Sequence, residues 1–231
     1  MFPIGDDNSS RTITPYVNYL LIALNIFVFI FVQGIGSNPH IIASFSTVPA
    51  GIISGQDIVG NGLGPTPIPV YATIITSMFM HGSIGHIAGN MLYLWIFGDN
   101  LENVMGHSRY LLFYLICGIL ASLSHVFIAA VLDNGLFVPS LGASGAISGV
   151  LGGYLILFPK NRVRIFALPF IFRVPAIITL GLWIIMQIVS QWNSIRGQED
   201  TGVAYAAHIG GFFAGVLLVR TFIKRPASSR S

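Results

Sequence analysis

Charged and apolar positions along this chain segregate into blocks. Long uncharged stretches (12–56, 58–98, 110–132, 134–159, 174–195 and 201–219) alternate with short clusters of charge. Each stretch reaches or exceeds the roughly 17–25 residues that a helix needs to cross hydrocarbon. The pattern predicts six spans, near 16–33, 84–101, 110–131, 143–158, 174–193 and 203–221. Lipid cannot satisfy backbone polar groups, which leaves helices or a closed barrel. The two-residue alternation of barrel strands is missing. The expected fold class is therefore all-α, a polytopic membrane protein of six transmembrane helices.

Composition agrees and narrows the function classes. The chain is 54% hydrophobic and 8% charged, against about 25% charge in an ordinary soluble domain. That excludes a water-facing globular protein, a nucleic-acid binder and a disordered chain. The single cysteine, Cys117, excludes an intrachain disulfide and a cysteine metal cluster. With six spans, Arg11, Arg109, Lys160, Arg162, Arg164, Arg173, Arg220, Lys224, Arg225 and Arg230 share one side, and Arg196 alone lies on the other. By the positive-inside rule the basic side is cytoplasmic, with both termini there. The expected location is a cell membrane, multi-pass, because no transit-like N-terminus is seen. One membrane domain covers 1–231: an N-terminal segment 1–15, a six-helix core 16–221 and a tail 222–231. The basic loop 159–173 is read as a topology signal.

Polar residues inside spans are costly, so they mark candidate sites. Three clusters stand out. His81-Gly-Ser-Ile-Gly-His86-Ile-Ala-Gly-Asn90 opens the second span. His86 and Asn90 are four apart and share a face. They suit either an anion or packing between helices. A metal is the weaker reading, since His81 and His86 lack a carboxylate partner. Gly142-Ala-Ser144-Gly145 opens the fourth span, with small residues recurring every four positions through Gly153. Ser144 is either one more packing residue or a group placed at the positive end of a helix. Ala207-His208-Ile-Gly-Gly211-Phe-Phe-Ala-Gly215 lies in the sixth span. Its glycine stripe would pack on the small face of the fourth span and carry His208 toward Ser144.

These clusters permit acyl transfer. A serine hydroxyl needs a base, and histidine has a suitable pKa. His86, Asn90 and the Ser144 backbone N–H supply donors for an oxyanion. Asp99 and Glu102 sit at the opposite end of the second span, so a Ser–His dyad is expected, without a third acidic member. No metal or cofactor is expected.

The combination His81-x4-His86-x3-Asn90, Gly98-Asp-Asn-Leu-Glu102, Gly142-x-Ser144-Gly145 and Ala-His208-x-Gly-Gly-x3-Gly215 resembles the rhomboid intramembrane serine proteases over about residues 70–220. The resemblance implies a rhomboid-like bundle in which Ser144 is the nucleophile and His208 the base. It implies an oxyanion hole of His86, Asn90 and Ser144, with His81 and Glu102 in structural roles beside Gly142, Gly145, Gly211 and Gly215. It also implies cleavage of single-span transmembrane proteins near the outer membrane face, with the lipid bilayer as the other partner. Two positions depart from the family. Ala72-Thr73 stand where a Trp-Arg or Trp-Gln pair is common, and Ser148 stands where some members stack an aromatic on the histidine. Trp183-x3-Gln187 fits the pattern of an otherwise apolar fifth span, either a lateral gate or plain lipid-facing surface. The competing reading is a silent relative that binds transmembrane helices. A transporter is disfavoured, because no charged residue lies centrally in a span.

Overall fold

The computed structural model describes residues 2–60, 62–197 and 203–224. Asn61, Glu199, Asp200, Arg225 and Arg230 lie outside the described residues. Helices of twelve residues or more lie mainly in the uncharged stretches, with α5, α6 and α9 running into charged positions at one end. They are α1 (Tyr16–Phe27), α5 (Ile84–Met105), α6 (His107–Leu132), α7 (Ser144–Leu157), α8 (Ala176–Ile195) and α9 (Tyr205–Phe222). A π-helical turn, Val28–Val32, prolongs α1. Three short helices, α2 (Pro39–Phe45), α3 (Pro49–Ser54) and α4 (Thr73–Thr76), structure the connection between α1 and α5. Proline opens α2 and α3, where its missing N–H costs nothing.

Among the described residues, three helices are long and apolar enough to cross a membrane: His107–Leu132, Ala176–Ile195 and Tyr205–Phe222. Of the six spans expected, only these three meet that length and composition. The others fall short for physical reasons. α5 has 22 residues but carries His86, Asn90, Asp99, Asn100, Glu102 and Asn103. α7 has 14 residues, about 21 Å of helix against roughly 30 Å of hydrocarbon. Ten of its residues are buried, so α7 is a central helix wrapped by its neighbours.

The all-α expectation needs one correction. β1 (Phe2–Gly5), β2 (Arg162–Ala167) and β3 (Phe170–Pro175) form a three-stranded antiparallel sheet in the order β1-β2-β3. The loop 159–173 is thus largely a hairpin turning at Leu168-Pro169. Its arginines masked the strand signal. Arg162 and Arg164 point outward while Val163 between them is fully buried, the two-residue period of a half-buried strand.

Two contacts place the site. The first is α7 against α9. A methyl on Gly211 would fall on the Gly145 carbonyl, one on Gly152 on the Phe212 carbonyl, and one on Gly215 would lie 2.8 Å from the Gly149 Cα. Glycine is required at these crossings because backbone meets backbone. The second is the α1–α5 connection against the residues before α7. Thr47 and Ser140 exchange backbone hydrogen bonds at 3.0 and 2.8 Å, and Gly142 N donates to the Ser77 carbonyl at 2.8 Å.

The opposite end, which carries most of the basic residues, is tied by polar contacts. Glu102 accepts from Val17 N at 3.0 Å and Asn18 N at 2.7 Å, so a carboxylate caps the first turn of α1. Asn18 in turn donates to the Leu94 carbonyl at 3.0 Å and accepts from Tyr110 at 2.8 Å. Gly98 has no room for a side chain beneath that pair. Arg11 meets Asp99 at 3.0 Å. Tyr154 donates to Asp6 at 2.6 Å, and Asn100 donates to the same carboxylate at 2.8 Å.

Two predictions follow from this packing. Gly211→Ala is expected to destabilise the protein by about 1–3 kcal/mol, read as a lower thermal midpoint in detergent; an unchanged midpoint contradicts the contact. Burial pushes the Asp6 carboxyl from its ordinary 3.8 up to about 6. A raised folded pKa favours the folded state while the carboxyl is protonated. The contribution of Asp6 to stability is therefore fully present below about pH 4 and is lost as pH rises through about 6. Asp6→Asn is expected to flatten that decline in thermal unfolding across this window, and an identical slope in both proteins refutes it.

Candidate active site

Ser144 is the first residue of α7. It therefore sits among the free N–H groups of a first helical turn. The chain reaches it through Gly142, whose φ of 119° suits glycine. His208 lies in the first turn of α9. The α7–α9 glycine contact brings the two together: His208 Nε2 is 2.7 Å from Ser144 Oγ. The other ring nitrogen, Nδ1, is 2.7 Å from Gln187 Oε1 on α8. Trp183, one turn earlier on α8, lies 6.0 Å from the His208 ring, and Tyr205 meets that ring edge-on.

His86 and Asn90 come from the first two turns of α5, whose N-terminus Ser83 caps by accepting from His86 N. A methyl on Gly142 would meet His86 Nε2 at 2.8 Å and Asn90 Nδ2 at 3.6 Å. Both side chains thus face the backbone two residues before Ser144. Gly82 N donates to His86 Nδ1 at 3.4 Å. That bond leaves the His86 proton on Nε2, facing Gly142. Asn90 Nδ2 is buried and has no hydrogen-bond partner. A buried donor left unpaired costs about 1–3 kcal/mol.

The remaining expected residues divide by place. His81 is buried beneath the site, its ring edge-on to His86 at 5.1 Å and edge-on to Phe29. Its backbone is clasped by Gln33 at the end of α1: His81 N donates to Gln33 Oε1 at 3.0 Å, and Gln33 Nε2 donates to the His81 carbonyl at 2.8 Å. The tie thus runs through the His81 backbone and Gln33, while both ring nitrogens of His81 have no partner. Gly145, Gly211 and Gly215 form the helix crossing. Glu102 lies at the far end of α5, away from Ser144, where it caps α1. Ser148, one turn after Ser144, donates to the Ser144 carbonyl at 2.6 Å and leaves His208 alone. Among the described residues no three His, Cys, Asp or Glu side chains converge on one point.

Gln187 is the contact that sequence reading undervalued. Its signal was there: a lone amide on an otherwise apolar helix, one turn past Trp183. Without the fold, nothing aimed it at His208.

The chemistry available is that of a hydroxyl in hydrogen-bond reach of an imidazole, beside donors set around one turn of backbone. Comparison with known proteins gives the family. A rhomboid domain matches residues 70–225. The chain belongs to the rhomboid family. It is 37% identical over 146 residues to the mitochondrial rhomboid protein 1 of Saccharomyces cerevisiae, covering 63% of this chain and 40% of that protein. It is 34% identical over 144 residues to the mitochondrial presenilin-associated rhomboid-like protein of Mus musculus, covering 62% and 36%. It is 30% identical over 203 residues to the rhomboid protease GluP of Bacillus subtilis, covering 87% and 34%. The chain thus spans two-fifths or less of the length of these relatives. They also correct one expectation. The cell membrane with cytoplasmic termini is overturned, because relatives matched at 33–37% identity are mitochondrial proteins. Arginine asymmetry ranks the two faces of a membrane without saying which membrane it is.

Proposed function

We propose that this protein is an intramembrane serine endopeptidase that cleaves single-span transmembrane proteins near the membrane face above Ser144. The observation that carries the reading is the 2.7 Å contact between Ser144 Oγ and His208 Nε2, held on two helices that meet backbone to backbone. Residues 1–231 form one membrane domain, with α1, α5, α6, α7, α8 and α9 as its six-helix core and the short α7 enclosed by the others.

In this reading His208 Nε2 takes the Ser144 proton as Oγ attacks the scissile carbonyl carbon. The carbonyl electron pair moves onto oxygen. That oxyanion is met by the Ser144 backbone N–H, His86 Nε2–H and Asn90 Nδ2–H. The Asn90 amide supports the assignment, since its Nδ2 is buried without a partner among the described residues and a substrate oxygen would satisfy it. His208 then returns its proton to the departing amine, and water releases the acyl group by the same steps reversed. The short α7 favours chemistry with water: a helix of about 21 Å cannot span roughly 30 Å of hydrocarbon, so Ser144 lies recessed below the membrane face. A substrate helix approaches past α8, whose buried residues number only three, Ala176, Leu180 and Ile184.

The test is cleavage of a single-span reporter by the purified protein. Wild type is expected to cut, and Ser144→Ala and His208→Ala to lose at least about a thousandfold in rate. Asn90→Ala is expected to lower turnover by roughly 10²-fold while Ser144 still labels with a fluorophosphonate. Equal cleavage by wild type and Ser144→Ala would sink the proposal. A folded, inert wild type that holds reporter helices would favour a silent helix-binding relative.

A further inference from the structure

A neutral imidazole carries one proton on two nitrogens, so its neighbours decide which nitrogen is the base. Ser144 can donate to His208 Nε2 only when the resting proton sits on Nδ1. A proton there, inside a bundle, needs an acceptor. Three sources are closed. Asp99 and Glu102 are engaged at the other end of α5, with Arg11 and with the first turn of α1. Ser148 turns its hydroxyl to the Ser144 carbonyl on its own helix rather than to His208. Trp183 offers a ring and an N–H donor, not an acceptor for this proton.

Among the described residues, Gln187 Oε1 lies 2.7 Å from Nδ1 and is placed to accept its proton. It is aimed by its helix. Leu180 and Ile184 on α8 are buried, and Trp183 packs on both His208 and Phe212. This stripe fixes the roll of α8 against α9 and turns position 187 toward the ring. An amide is also suited to the place, since a neutral acceptor inside the membrane costs far less than a carboxylate.

Resting on the protease reading above, we infer that Gln187 is a positioning residue: it accepts the Nδ1 proton of His208, locks the tautomer whose Nε2 is unprotonated, and stabilises the imidazolium that forms as Ser144 attacks. The amide holds its proton throughout. Only the Ser144 proton moves, to Nε2 and then to the leaving amine. The site is thus a Ser–His pair with an amide as its third member, and Gln187 stands in for the aromatic that Ser148 replaces.

The experiment has two arms. In the first, Gln187→Met and Gln187→Glu are compared with wild type on the single-span reporter. Met keeps the length and removes the acceptor; kcat is expected to fall roughly tenfold to a hundredfold with KM within about twofold. Glu restores an acceptor and is expected to recover most of the lost kcat. A Met variant as fast as wild type, or Met and Glu variants equally slow, overturns the inference. The second arm needs no variant at position 187. ¹⁵N spectra of histidine-labelled wild type, assigned with His208→Ala, are expected to show His208 with Nδ1 protonated and Nε2 bare at rest. A resting Nε2–H tautomer overturns the inference even if Gln187→Met fails to fold. If wild type neither cleaves nor labels at Ser144, the protease reading fails, a result distinct from either outcome here.

Discussion

The backbone crossing of α7 and α9 is the constraint on which the site depends. Gly145, Gly149 and Gly152 on one helix meet Gly211, Phe212 and Gly215 on the other with no space for a single methyl. In lipid there is little hydrophobic gain from pairing two apolar helices, so close packing itself must hold them. Glycine permits that approach and fixes its register. The register then sets Ser144, one residue from Gly145, and His208, three residues from Gly211, within a hydrogen bond of each other. The site is a by-product of the tightest contact in the molecule.

The two ends of the bundle are built differently. At the end bearing Asp99 and Glu102 every strong contact serves anchorage: a carboxylate caps α1, an ion pair holds Arg11, and Asp6 is shared by Tyr154 and Asn100. At the Ser144 end, polar groups stand unpaired or face one another across small gaps. Asn90 Nδ2 has no partner, and His86 and His208 present nitrogens toward the start of α7. Such groups are costly in a membrane protein.

Much of this arrangement was legible in the sequence. Uncharged stretches located the main helices, and the glycine spacing around His208 and Ser144 argued that their helices meet. What stayed hidden has physical causes. The β2–β3 hairpin carries Arg162, Arg164 and Arg173, and charge dominated the reading of a segment whose Val163 and Ile165 alternate inward. α7 is central and short, so its burial does not depend on spanning length. Gln33 and Gln187 act across 48 and 21 positions of chain, on the His81 backbone and on the His208 ring; no local pattern points an amide that far. The cell-membrane expectation was drawn from the lack of a transit-like N-terminus, and it is overturned by the relatives that are mitochondrial proteins.

The most direct measurement is peptide mapping of the protein after reaction with a fluorophosphonate. The pairing of Ser144 with His208 predicts one adduct per chain, on Ser144, formed at least about a hundredfold more slowly in His208→Ala. An adduct on another serine, or labelling of Ser144 that ignores the loss of His208, would contradict it.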